Sequence, residues 1–161
     1  MHLILIRHAD AGDRNPGLWP DDTLRPLTDK GRRRHRRVAK RLKRRGLVPE
    51  LLLTSPWLRA WQTAQIVAND TGGPAPVACP ALATAPSLPA LQQAVAQASV
   101  DARVALVGHE PWLSELASLL LAGDPHRLSI DVPKSGVLGL ECESLAPGTA
   151  TLGFLWRPKG S

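Results

Sequence analysis

Leu3-Ile4-Leu5-Ile6-Arg7-His8 is the stretch that decides the fold. Four aliphatic residues in succession leave neither face polar, so the segment reads as a strand buried on both faces. Strands of that kind belong to parallel sheets covered by helices on both sides. The run stops abruptly on Arg7 and His8, two groups too polar for a core. Leu51-Leu52-Leu53-Thr54 repeats the pattern, and so does Arg103–Gly108, which contains Val104, Ala105, Leu106 and Val107 without interruption.

Helical signals lie between these strands. Ala9–Leu27 holds Gly12, Pro16, Gly17, Pro20 and Pro26 and reads as loop. Thr28 can cap a following helix, with Asp29 in its first turn, Val38, Ala39 and Leu42 on its inner face, and Gly46 as its stop. His35 falls on that inner face. Ser55-Pro56 opens a second helix with Pro56 at its first position. Leu58, Ala64, Ile66 and Val67 supply its apolar surface, and Gly72-Gly73-Pro74 ends it. Thr71–Pro89 is a loose connection with a short strand at Val77–Cys79. A third helix is predicted over Leu88–Ala98, and a fourth from Pro111 to Leu121. Val137–Glu143 and Thr149–Trp156 alternate like a closing antiparallel pair. The order predicts one α/β domain over residues 1–161. It has three layers, α/β/α, and a largely parallel central sheet ending in an antiparallel strand pair.

Composition agrees with a globular domain. The chain has 161 residues, 43% of them hydrophobic and 21% charged. Two cysteines, Cys79 and Cys142, are too few for a disulfide framework or a metal cluster. No apolar run approaches the ~18 residues of a membrane span, and no secretory signal is visible, so a cytoplasmic protein is expected. The formal charge of +6 is local. Ten Lys and Arg crowd Gly31–Arg45 without a carboxylate, and removing them turns the remainder to −4. Such a stripe is a solvated helix face or a surface for an acidic or polyanionic partner. Nucleic acid and membrane are not expected.

The predicted parallel strands end in polar groups: Arg7-His8, then Thr54-Ser55-Pro56 leading to Arg59, then Gly108-His109-Glu110. Ligands of open α/β sheets bind beyond the carboxyl ends of the strands. The fold therefore brings Arg7, His8, Arg59 and His109 to one edge. Two guanidinium forks and two imidazoles suit an anion with several oxygens, phosphate above all. A histidine can also attack phosphorus.

These segments resemble the motifs of the histidine phosphatase superfamily, which includes the phosphoglycerate mutases. Leu5-Ile6-Arg7-His8-Ala9 is similar to its first signature, Thr54-Ser55-Pro56-Trp57-Leu58-Arg59 to its second and Val107-Gly108-His109-Glu110-Pro111 to its third. Arg25-Pro26-Leu27-Thr28-Asp29-Lys30-Gly31 resembles the family's entry to its first helix. The short chain looks most like the small bacterial phosphohistidine phosphatases of the SixA group.

The resemblance implies a phosphoglycerate mutase-like fold. It also implies a hydrolase in which His8 attacks phosphorus while Arg7, Arg59 and a charged His109 hold the three remaining oxygens. Neither metal nor cofactor is implied. Arg25 is expected at the rim, and Ser55 either binds phosphate or caps the second helix. Larger relatives carry an acidic glutamate before the third motif, but Thr71–Val100 here holds no Asp or Glu. Asp10 and Glu110 remain as candidates for the acid, Asp10 preferred; Glu110 is otherwise placed with Arg25 and Ser55 as substrate-binding. A phosphohistidine-bearing protein is the expected substrate, with polyphosphate, a small phosphate ester or a non-catalytic polyanion-binding role as alternatives. Trp19, Trp57 and Trp61 line the pocket mouth or fill apolar space, and Lys134-Ser135-Gly136 could face the pocket.

Overall fold

The computed structural model, which describes residues 1–159, places β1 (His2–Arg7) in the interior of a six-stranded sheet. The elements that follow are α1 (Asp29–Arg44), β2 (Leu51–Thr54), α2 (Leu58–Thr71), β3 (Val77–Ala78), α3 (Leu88–Val95), β4 (Arg103–Gly108), α4 (Trp112–Ala122), β5 (Val137–Glu141) and β6 (Thr151–Trp156). The strand order is β3-β2-β4-β1-β5-β6. The first four strands in that order run parallel; β5 is antiparallel to β1, and β6 to β5. The sheet is thus mixed, as the closing strand pair requires.

Alternation along β1 builds the three layers. Leu3 and Leu5 join Leu91, Val95, Leu113, Leu116 and Leu120 of α3 and α4 on one face. Ile4 and Ile6 join Val38, Leu42, Ala60, Ala64 and Val67 of α1 and α2 on the other. Each such fully buried Leu or Ile contributes about 1.5–3 kcal/mol over an exposed one. In register, Arg7 stands beside Gly108 and Thr54 beside Val107, so β1, β2 and β4 end at one level. That shared level is where the polar segments emerge.

α1 starts as predicted: Thr28 Oγ1 accepts from Gly31 N at 3.0 Å. Gly31 could not be larger, because a Cβ there would meet the Asp10 carbonyl oxygen at 2.2 Å. α2 and α4 begin later than predicted. Pro56 stays outside α2, since Ser55 Oγ turns inward to accept from Trp57 N and the chain becomes helical at Leu58. Pro111 caps α4 instead of opening it. α3 ends at Val95, where a turn closed by Ala98 N and Val95 O replaces further helix. β5 ends at Glu141, and β6 begins at Thr151 because Gly148, with φ +70°, still belongs to the turn.

Most basic residues of α1 are exposed to solvent, whereas the Arg41 guanidinium lies 4.2 Å from the Trp156 ring centroid of β6. Arg33, Arg36, Arg37, Lys40, Lys43 and Arg44 are exposed, whereas Gly31, His35, Val38, Ala39 and Leu42 are buried. Among the described residues no helix is long and apolar enough to cross a membrane.

Candidate active site

Arg7 is the last residue of β1 and His8 the first beyond it. The His8 ring is buried, 7% exposed, and its Nδ1–H donates to the Ala9 carbonyl at 2.7 Å. That bond consumes Nδ1 and leaves the lone pair on Nε2. His8 has its pKa lowered to about 3, first by burial and then by His109, Arg59 and Arg7, against the raising effect of the Ala9 hydrogen bond. The ring is therefore neutral at physiological pH, as a nucleophile must be.

His109 follows β4, with its ring centroid 5.2 Å from that of His8. Its Nε2 lies 2.8 Å from Ser55 Oγ. This contact gives Ser55 a task in the site that helix capping does not. Burial, then Arg59 and Arg7, lower the pKa of His109 to about 3. The resting His109 is accordingly neutral, contrary to the charged state expected from the sequence. The first reason is burial, and the guanidiniums of Arg59 and Arg7 add to it before any anion is bound.

Arg59, in the first turn of α2, is 5% exposed. Its Nη1 donates to the Asp22 carbonyl at 2.8 Å, and its Nη2 lies 3.3 Å from Asp22 Oδ2. Asp22 also meets Arg25 Nε at 2.9 Å, while Arg25 Nη1 donates to the carbonyls of Ala11 and Gly12. Arg25 thus ties the loop to itself and shares a carboxylate with Arg59. Asp22 was not anticipated from the sequence, where Asp21-Asp22 looks like any polar loop. Its signal lay in the need of a buried arginine for a counter-charge.

Arg7 Nη1 donates to the Val132 carbonyl at 3.0 Å. Ser135 N donates to the His8 carbonyl at 3.2 Å, and Ser135 Oγ lies 3.0 Å from Nδ1 of the wholly buried His35. Lys134 Nζ lies 2.6 Å from Asp10 Oδ1. The segment before β5 therefore braces Arg7, His8 and Asp10 together. Asp10 also accepts from Thr28 Oγ1 and Gly12 N. The Lys134 hydrogen bond, above all, holds its carboxyl below the usual range, the reverse of what a proton donor needs. Burial pushes the Glu110 carboxyl up, while its Oε2 accepts from Ser114 N and Oγ at the start of α4.

Among the described residues six buried side-chain nitrogens and oxygens have no protein partner. Four belong to this group: Arg7 Nε, Arg59 Nε, His109 Nδ1 and Glu110 Oε1. Unmet buried donors are costly. Three of them on the two arginines and the second histidine suit oxygens delivered by an anion. Among the described residues no group of three His, Cys, Asp or Glu side chains is placed to hold a metal ion.

The buried histidines make stability depend on pH. His8, His35 and His109 all have pKa values lowered to about 3, against 6.5 in the unfolded chain. Between those values the unfolded state binds more protons. Stability should therefore be full above pH 6.5 and fall as pH drops toward 3, by up to about 1.4 kcal/mol per pH unit for each histidine. Urea unfolding at pH 7, 6 and 5 measures this, and stability independent of pH over that range would contradict it.

The model of the histidine phosphatase superfamily (branch 1) matches residues 3–83. An uncharacterized protein of Picosynechococcus sp. is 42% identical over 143 residues, 87% of this chain and 84% of that one. Among solved structures, the protein histidine phosphatase SixA complexed with tungstate is 26% identical with a TM-score of 0.81, covering 98% of this chain and 97% of that chain. A protein of Agrobacterium tumefaciens assigned as the phosphohistidine phosphatase SixA is 28% identical with a TM-score of 0.78, covering 98% and 97%.

Proposed function

Because this chain belongs to the histidine phosphatase superfamily, in its SixA-like group, we propose that it is a phosphatase whose substrate is phosphohistidine on a protein. The observation that carries the substrate is that the segment where larger relatives carry their acid holds no carboxyl, while Glu110 Oε2 is held by Ser114 at the start of α4. Thr71–Val100 contains no Asp or Glu, and this segment approaches the site with Ala81, Leu82 and Pro86, which share a small crevice with His109. Asp10 is committed to Lys134.

Phosphohistidine needs no such acid when its ring already carries a proton. His8 Nε2 forms a bond to phosphorus as the P–N bond breaks, and the substrate imidazole leaves neutral, keeping its proton. Arg7, Arg59 and His109 hold the three oxygens of the passing phosphoryl group. Positioning and charge then supply most of the acceleration. Binding the dianion offsets the arginine charges that lower the His109 pKa, and so favours the charged imidazole there. Water next attacks phosphorus on His8, releasing phosphate and restoring the ring. The cationic side chains do this without a metal. The exposed arginines of α1 are the face on which an acidic or polyanionic partner would dock.

Purified protein should hydrolyse a phosphohistidine peptide with a kcat/KM at least ~10²-fold above that for a phosphoserine peptide or a sugar phosphate, the range of one missing general acid. A sugar phosphate turned over best would overturn the substrate assignment and leave the His8 chemistry standing.

A further inference from the structure

The two indoles beside His109 are not accounted for by the phosphoryl chemistry. Trp57, just before α2, has its ring 4.5 Å from the His109 ring at 51°, and Trp112, the first residue of α4, has its ring 6.0 Å from the same ring at 86°. The indoles meet each other at 6.0 Å and 70°, edge to face. Together they form an aromatic corner against one phosphoryl ligand. Trp57 reaches a second ligand as well, since the Arg59 guanidinium lies 4.8 Å from its centroid. The corner therefore adjoins the phosphoryl pocket.

Both indoles are half-buried, while Leu113 and Leu116 behind Trp112 are buried. The back of Trp112 is fixed: the crevice it shares with Leu82, Pro86, Leu91 and His109 has a volume of about 10 Å³, space for roughly one water. Part of each indole remains accessible to solvent. His8 is buried at the strand end, and in-line attack sends the leaving group out on the side of phosphorus opposite His8.

We propose that Trp57 and Trp112 form the leaving-group seat of this phosphatase, selecting a flat, positively charged ring. The inference rests on the phosphohistidine reading and adds to it the residues that recognise the departing imidazole. A protonated imidazole is planar and cationic. Indole faces attract cations and stack on flat rings. By holding the ring while it carries its proton, the corner favours the form in which the P–N bond breaks without an enzyme acid. An alkyl alcohol offers neither the charge nor the plane.

The test uses two phosphoramidates with the same phosphoryl group: a phosphohistidine peptide, whose leaving group is flat, and phosphoramidate itself, whose leaving group is ammonia. The readout is the ratio of their kcat/KM values in one preparation, so that disturbance of Arg59 or His109, common to both substrates, cancels. Trp112→Leu and Trp57→Leu should each lower the ratio by about fivefold to tenfold, the scale of one cation–π or aromatic contact. Trp112→Phe should restore most of it. A ratio unchanged in both leucine variants would overturn the seat while leaving the phosphohistidine assignment intact. Wild type that ignores the phosphohistidine peptide would overturn the assignment itself, and the seat with it.

Discussion

His8→Ala should abolish turnover, lowering kcat by about 10⁴-fold or more, the scale for loss of a nucleophile from a unit that works together. The expectation follows from the ring's setting. Burial above all lowers the His8 pKa, its Nδ1–H is spent on the Ala9 carbonyl, and its Nε2 keeps a lone pair. Ser55 and the two cysteines are not placed to replace it. Ser55 Oγ already receives Trp57 N–H and lies against His109, and both cysteines are buried in the hydrophobic core. Brief exposure to labelled phosphohistidine substrate should leave an acid-labile, base-stable label on the wild type. Label that persists in His8→Ala would place the covalent step elsewhere. Retention of the native circular dichroism spectrum by the variant would separate loss of chemistry from loss of fold.

The second large effect is expected at Arg59. Arg59→Ala should cost ~10²–10³ in kcat/KM, the range for removal of one electrostatic donor from a reacting centre. Arg59→Lys should recover little of it. The guanidinium is planar and spans from Asp22 to the pocket, with Nη1 and Nη2 on Asp22 and Nε buried without a protein partner. A lysine ammonium is a point charge and cannot keep the Asp22 contacts while reaching an anion. Removing the arginine also leaves Asp22 with Arg25 as its remaining ion-pair partner among the described residues, so part of the loss should come from the loop that Asp22 and Arg25 hold. Steady-state kinetics on one phosphohistidine substrate measures both variants. Near-normal turnover in Arg59→Ala would exclude this residue from the phosphoryl pocket.

Much of this molecule is legible in its sequence. An unbroken aliphatic run has to be buried on both faces, and a strand buried on both faces has to be covered by helices on both sides. Leu3–Ile6 and Val104–Val107 therefore carried the layered architecture, and the register of β1 against β4 placed their polar ends level. The proximity of Arg7, His8, Arg59 and His109 followed from that topology. Helix starts were less legible at the two prolines. Proline permits the first helical position without requiring it, and side chains elsewhere decided the matter: Ser55 Oγ turned toward His109, and α2 began at Leu58.

What the tertiary structure alone decided is the state of each charge. Asp10 looks from the sequence like a candidate acid beside a histidine. In the fold, Lys134, 124 residues away, takes its carboxylate. Asp22 looks like loop and becomes the counter-charge of Arg59. His109 looks like a cation, and in the fold burial, then Arg59 and Arg7, lower its pKa. Backbone pairing is largely a local matter of pattern and periodicity, readable along the chain. Protonation depends on which groups are packed within a few ångströms and on how much water is excluded, and neither exists until distant segments meet.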